Sequence, residues 1–424
     1  MRERLLHYIW KHQKFRAGSL RTSNAEIIQI INPGTYNMHS GPDFQNAIVE
    51  IEGQLWAGNI ELHLRSSDWY AHNHQKDENY NNVILHVVWE EDRKVYRRTG
   101  MELPTLMLKD LVETEFLDNY RNLLFRSDSK FINCETQVAD FDLFVMLPWL
   151  EHLFRERLES KTNEAALILK ETEGDWERLF FIMLLANFGQ RLNRSSFLSL
   201  ARSLEFDIVK GVRGQSLQLE SLLFGLSGLL QREGVQDKYY QRLKTEFAYL
   251  RKKYQLTDPV FLAPEFMRVR PGNFPTLRLS QFAGFYSTHM NLFSKIRSLW
   301  FKKEFYEMFT ISASTYWRSH YNFGKPSRDK STNLSRAFKD GLIINTVLPL
   351  KNLDARERGT NIYPRLRKLI SQLYKEDNRI VREYRSLGFP VHHALDSQAL
   401  IQLYKFYCEK NRCLECALGN QILN

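Results

Sequence analysis

Residues 41–64 read GPDFQNAIVEIEGQLWAGNIELHL, and this stretch decides the fold of the first hundred residues. From Gly58 to Leu64 apolar and polar residues alternate strictly. Successive side chains of a strand point to opposite faces, so Asn59, Glu61 and His63 share one face and Ile60, Leu62 and Leu64 the other. The second face is core, and the first is free for chemistry. Upstream, Gly41-Pro42-Asp43 fixes a bend at a strand start and holds a short carboxylate with little freedom. Turn signals at Asn32-Pro33-Gly34, Ser40-Gly41-Pro42-Asp43 and Glu52-Gly53 separate strands predicted over 26–31, 47–51, 54–64 and 83–89.

Outward from this core the pattern changes period. Residues 1–15 are helical, with Leu5, Leu6, Ile9 and Trp10 on one stripe. From about residue 140 helical spacing dominates, over 141–157, 176–192, 217–231, 238–254, 277–299, 334–347, 363–374 and 395–408. The expected class is α+β: a mixed α/β domain over 1–130, followed by a mostly helical region over 131–424. Arg318 to Arg336, rich in polar residues, Gly and Pro, reads as a long loop or hinge.

The chain has 424 residues, too many for one ordinary core, and its 43% hydrophobic and 13% aromatic content indicates folding throughout. No apolar run reaches the ~18 residues of a membrane span, and the N-terminus lacks the pattern of a signal peptide, so a cytoplasmic protein with no membrane partner is expected. Charge is unevenly spread. After residue 240, Lys and Arg number 31 against 15 Asp and Glu, whereas residues 1–100 hold 12 of each. A localised basic region suits a polyanion, and Arg379, Arg382 and Arg385, three apart on one helix face, suit phosphate contacts as well as they suit solubility.

Five of the twelve histidines, His39, His63, His72, His74 and His86, fall within 48 residues, interleaved with acids. Two carboxylates from neighbouring strands, Asp43 and Glu61, make a hard-oxygen site for Mg²⁺ or Mn²⁺, and His63 adds a nitrogen ligand or proton carrier. His72 and His74 bracket Asn73 in a polar loop and are expected behind the ligands. His86 lies in an apolar strand, where a hydrogen-bonded core histidine is the ordinary case. Asp68 is expected to cap a turn. At the other end, Cys408, Cys413 and Cys416 form C-x4-C-x2-C, three thiols that would hold Zn²⁺ if Cys134, His392 or His393 supplied a fourth ligand, and that otherwise serve as small buried side chains. No phosphate loop, Rossmann glycine fingerprint, HExxH helix or nucleophile elbow occurs, which excludes the kinase, dehydrogenase and serine-hydrolase readings.

The order of these elements resembles the PD-(D/E)xK nuclease superfamily: an N-terminal helix with an acid, a Pro-Asp entering a strand, then acid-x-lysine on the next strand. Glu3 matches the first acid weakly, Pro42-Asp43 the second element and Glu61-Leu62-His63 the third, with 17 residues between the two acids. His63 stands where the superfamily has lysine. The resemblance implies a metal-dependent phosphodiesterase acting on nucleic acid, with Asp43, Glu61 and His63 as the catalytic set. Two alternatives stand beside it: a nucleic-acid-binding protein that has lost the chemistry, and a metal-dependent hydrolase of a small molecule. Gly41-Pro42-Asp43-Phe44, the Gly58–His63 strand with Ser67-Asp68-Trp69, His72-Asn73-His74 and His86-Val87-Val88 are also similar to an uncharacterised bacterial family, a domain of unknown function found notably among Bacteroidetes. That likeness is expected to extend through Asn273-Phe274-Pro275 to the terminal cysteines, thus over most of the chain, and implies no activity.

Overall fold

In the computed structural model, which describes residues 2–18, 20–124, 130–257 and 262–423, the chain divides into two units: residues 1–146 with 405–424, and residues 147–404. The apolar stripe of the N-terminus forms helix α1, Glu3–Lys11, and buries Leu5, Leu6, Ile9 and Trp10. Strands follow: β1 Leu20–Arg21, β2 Ile27–Asn32, β3 Thr35–Tyr36, β4 Phe44–Ile51, β5 Gln54–Arg65, β6 Val83–Glu90 and β7 Thr105–Met107. They form one sheet in the order β1-β2-β4-β5-β6-β7, with β3 paired to β4. The β2-β4-β5 part is an antiparallel meander, while β6 runs parallel to β5 and β7 parallel to β6. A parallel return needs a crossover. It is made by the short helix α2, Asp68–Ala71, and two 3₁₀ turns, His74–Lys76 and Glu78–Tyr80.

Ile60, Leu62, Leu85 and Val87 pack with Leu5, Leu6 and Ile9 of α1 and with Tyr120 and Leu123 of α3, Thr114–Leu124. Each such buried side chain contributes ~1.5–3 kcal/mol. Trp69, Val83, Val95 and Leu103 form a second, smaller cluster. The polar face of β5 is therefore not a solvated face: Glu61 and His63 are 5% and 1% exposed. From the C-terminus, Leu423 of the helix Ala417–Leu423 joins the main core of this unit.

The second unit is mostly helical, and several expected single helices are divided. Residues 176–192 belong to two helices, Trp176–Phe188 and Gln190–Ser203. The chain turns at Gly189, where a Cβ would lie 2.4 Å from the Asn193 carbonyl oxygen, and Gln190 adopts a φ of +53°. The 277–299 segment likewise splits into Pro275–Thr288 and Leu292–Ser298, with Asn291 left-handed between them. Arg318 to Arg336 is not a loose hinge. It contains a hairpin, His320–Asn322 with Lys325–Pro326, and the segment's backbone is tied down when Lys330 Nζ donates to the His320 carbonyl (2.9 Å), Thr276 Oγ1 to that of Tyr321 (2.7 Å) and Gln281 Nε2 to that of Thr332 (2.7 Å). One of these donors, Lys330, belongs to the segment, and the helix Pro275–Thr288 supplies the other two. Among the described residues no helix is long and apolar enough to cross a membrane.

Candidate metal centre

A one-residue bulge places the first carboxylate. Phe44 pairs with Ile60 and Ala47 with Gly58, so β4 spends three steps where β5 spends two. In a regular strand Phe44 and Ala47 would face opposite sides, yet both are 0% exposed in the same core. The extra residue rotates the strand start, which turns Asp43 to the face of Glu61. Asn46 absorbs the bulge at φ +57°, its N–H donating to Asn59 Oδ1 (3.3 Å). Before the strand, Gly41 takes φ +97° and the Asn37 side chain donates to the Ser40 and Pro42 carbonyls, which clamps the bend.

Asp43 and Glu61 then hold each other. The Asp43 N–H donates to Glu61 Oε2 (3.0 Å), and the Leu62 N–H donates to Asp43 Oδ2 (3.0 Å). One oxygen of each carboxylate is fixed by backbone, and Glu61 turns its other oxygen, Oε1, to the histidines. Gly58 makes room for this geometry, since a Cβ there would lie 2.5 Å from Ile84 Cγ2 and 2.6 Å from the Asn82 carbonyl oxygen of the adjoining β6 end.

Histidines close the ring. His74 Nε2 lies 3.2 Å and His63 Nε2 3.7 Å from Glu61 Oε1, and His63 Nε2 lies 3.1 Å from His72 Nδ1. On its far side His63 Nδ1 meets His86 Nε2 at 2.8 Å. His72 and His74, expected to stand behind the ligands, instead bring ring nitrogens to the same point as His63. They can do so because Asn73 between them is left-handed, φ +62°, a conformation that asparagine tolerates. Tyr80 stacks on the His74 ring at 3.8 Å. His86 is the buried, hydrogen-bonded core histidine that its strand suggested, and Asp68 accepts from the Arg65 N–H (3.0 Å), capping its turn.

A fifth histidine was not foreseen. His7 Nε2 lies 3.3 Å from Asp43 Oδ2, and Glu3, His7 and Asp43 bring ligand atoms within 4.8 Å of one another. The available signal was the spacing Glu3-x-x-x-His7, which puts both on one helical face.

Electrostatics set the protonation states. Burial, then the charge of Asp43, pushes Glu61 up to about 8. Burial, then His86 and the other imidazoles, pushes His63 down to about 2. Burial likewise lowers His86 to about 3 and lowers His74. Burial opposes protonation of His7, but its contact with Asp43 outweighs this and the net shift is upward. The centre therefore holds neutral imidazoles with bare nitrogens beside two carboxyls that cannot cheaply both be charged. Glu61 and Asp43 have only histidines as ion-pair partners among the described residues, with no lysine or arginine within 4 Å.

The other predicted residues lie elsewhere. Arg379, Arg382 and Arg385 are exposed on the helix Arg379–Ser386, Arg382 pairing with Asp377 at 3.6 Å. Cys413 and Cys416 approach Cys134 closely enough that, after burial, their charge helps push its thiol up to about 12, and Asn133 Nδ2 lies 3.5 Å from Cys413 Sγ. Among the described residues two groups bring three ligand atoms within 4.8 Å of one another, His63-His72-His74 and Glu3-His7-Asp43, and Cys408, Cys413 and Cys416 are in neither.

Compared with known proteins, residues 3–379 match the family model described as "Protein of unknown function (DUF2851)". The match ends before Arg382, Arg385 and the C-terminal cysteines. No curated protein and no solved structure gives a match.

Proposed function

The chain belongs to the DUF2851 family, whose function is unknown, so the site must carry the reading, and we propose that it is a metal-dependent phosphodiesterase acting on nucleic acid. The carrying observation is the reciprocal lock of Asp43 and Glu61, each carboxylate fixed by the backbone of the other's strand. The element order supports it: a helix bearing Glu3 and His7, Pro42-Asp43 entering β4, Glu61-x-His63 on the antiparallel β5, and then the parallel β6. From the acid on the helix to Glu61-x-His63 this resembles the order of the PD-(D/E)xK nucleases, with His63 where they have lysine.

The residues fit a divalent ion. His74 Nε2 is buried with no hydrogen-bond partner, and Glu61 retains a free oxygen directed at it. Asp43, Glu61 and His63 would hold the ion, which when bound supplies Lewis-acid polarisation of a phosphodiester and a lowered pKa for an attacking water. His63 acts as a neutral ligand, not as a replacement for the lysine charge, because its burial keeps it unprotonated. Arg379, Arg382 and Arg385, on the helical unit, would contribute phosphate contacts to the binding of a polyanion.

The test is nicking and degradation of labelled DNA and RNA with Mg²⁺, Mn²⁺, Fe²⁺ or Zn²⁺ by wild type, Asp43→Asn and His63→Lys. Cleavage lost in Asp43→Asn with the fold intact supports the reading, and His63→Lys should also lose it, since an ammonium cannot coordinate. Wild type that cuts nothing with any of these ions defeats it. The missing lysine favours one second reading, a chain that binds nucleic acid without cutting.

A further inference from the structure

We infer that Glu61, His63, His72 and His74 form a four-ligand cage for one borderline transition-metal ion, of the zinc or iron(II) class, in place of the oxygen-ligated Mg²⁺ that the nuclease resemblance implies. The inference deepens the hydrolase reading by naming its ion and revising its ligands: Glu61 and His63 are kept, and Asp43, which groups with Glu3 and His7, gives way to His72 and His74. It rests on that reading only for what the ion is used for.

Geometry carries the argument. A tetrahedral ion with bonds of about 2.0–2.1 Å needs ligand atoms roughly 3.3–3.4 Å apart. His63 Nε2 to His72 Nδ1 is 3.1 Å, Glu61 Oε1 to His74 Nε2 is 3.2 Å, and Glu61 Oε1 to His63 Nε2 is 3.7 Å. These three spacings bracket the edge of such a tetrahedron; His63, His72 and His74 bring ligand atoms within 4.8 Å of one another, and Glu61, outside that group, joins it through His63 and His74. His74 supplies an independent observation: its side chain is 10% exposed, and its Nε2 faces Glu61 without a hydrogen bond. A buried ring nitrogen is not ordinarily left unpaired.

The surroundings are those of a ligand set. A metal-binding imidazole donates its other N–H to a partner that fixes ring and tautomer. With Nδ1–H of His63 donating to His86 Nε2, the His63 Nε2 lone pair points inward. The stacked Tyr80 and the edge of Trp69 at 5.4 Å hold the His74 ring. His72 is exposed and gives the ion a way in. Imidazole suits zinc and iron, whereas Mg²⁺ demands oxygen and water. Three neutral imidazoles and one carboxylate would leave a dication with a net positive charge, able to take an anionic substrate oxygen only as a fifth ligand.

The experiment is a titration of the chelator-stripped full chain with Co²⁺, Zn²⁺ and Mg²⁺, read by visible absorption and by metal content after dialysis. Cobalt in the cage gives the intense visible bands of four-coordinate nitrogen and oxygen ligation. Thiolate ligation at the C-terminal cysteines would show instead as near-ultraviolet charge-transfer absorption, so the two places are read separately. His72→Ala, an exposed change that spares the core, should weaken Co²⁺ binding by roughly 100-fold or more, His86→Ala by roughly 10–100-fold, and His39→Ala not at all. A visible cobalt spectrum unchanged in His72→Ala, no such spectrum in wild type, or Mg²⁺ bound as tightly as Co²⁺ overturns the cage. Cobalt binding needs no nucleic acid, so a cage with no cleavage sinks only the hydrolase reading, and Mg²⁺-driven cleavage with no cobalt site sinks only the cage.

Discussion

Two buried glutamates set the candidate site beside a structural one. Glu220 of the helical unit is 2% exposed and Glu61 of the sheet unit 5%, and burial raises the pKa of both. Around Glu220 the neighbours are neutral donors: Trp317 Nε1–H at 3.0 Å and Ser314 Oγ at 3.3 Å, with Tyr239 and Ser280 also bonded to it. Around Glu61 they are a second carboxylate and imidazole nitrogens, one of them without a partner. Burial alone therefore marks nothing. What marks a site is a convergence of lone pairs with too few protons to share, because only an added cation or proton satisfies it.

The largest expected effect breaks the two apart by activity. Glu61→Gln keeps the shape and removes the negative ligand, and should lower metal-dependent cleavage by at least about 1000-fold, whereas Glu220→Gln should leave it within about twofold. Single-turnover cleavage of labelled DNA and RNA reads both. Equal losses would mean that Glu61 acts through the fold, as Glu220 does.

Stability should rank them the other way. Glu220→Ala leaves buried Trp317 and Ser314 donors unpaired around a cavity and should cost about 2–4 kcal/mol, seen as a lower urea midpoint. A loss below about 1 kcal/mol would show that the helical unit tolerates an empty centre, and the structural reading of Glu220 would fall.

A third measurement concerns how each region meets a polyanion. Replacing Arg379, Arg382 and Arg385 by Ala removes three exposed charges and should shallow the log–log salt dependence of DNA binding by roughly 2–3 units. Replacing Asp43 by Asn should leave that slope as it is. An unchanged slope in the triple variant assigns those arginines to solvation.

Much of this contrast was legible beforehand. Strict alternation over 58–64 put Glu61 and His63 on one face, as found, and the Gly-Pro bend marked where Asp43 enters, but Asp43 reaches their face only through the bulge. His72 and His74 were visible as residues but not as equals of His63, because their convergence depends on one left-handed residue, Asn73. His7 escaped because its partner lies 36 positions away and no local period reports such a contact. The bulge between Phe44 and Ala47 has no composition signal beyond Asn46. Helix breaks at Gly189 and Asn291 were missed for a related reason: apolar residues flank both turns at helical spacing, Phe188 with Leu192 and Tyr286 with Met290 and Phe293, and periodicity cannot see a change of direction.

The smallest effect tests the proton that stands in for the cation. In protein stripped of metal, Glu61 holds its proton up to about 8, while the unfolded chain releases it near the ordinary value of 4.5. A raised carboxyl pKa gives stability that is full below 4.5 and is lost as pH rises through about 8, because over that range folding must take up a proton or bury a charge beside Asp43. Glutamine has no proton to lose. Stripped Glu61→Gln should thus match wild type near the acid end of this range and exceed it by on the order of 1–2 kcal/mol toward pH 8. Saturating Zn²⁺ or Co²⁺ should reverse the order, stabilising wild type through binding and leaving the variant nearly unmoved. Urea midpoints across this range, with and without ion, decide it. Wild type whose stability stays level from pH 4.5 to 8 would mean that Glu61 ionises freely beside Asp43, and the need for a cation between the carboxylate pair and the histidines would disappear.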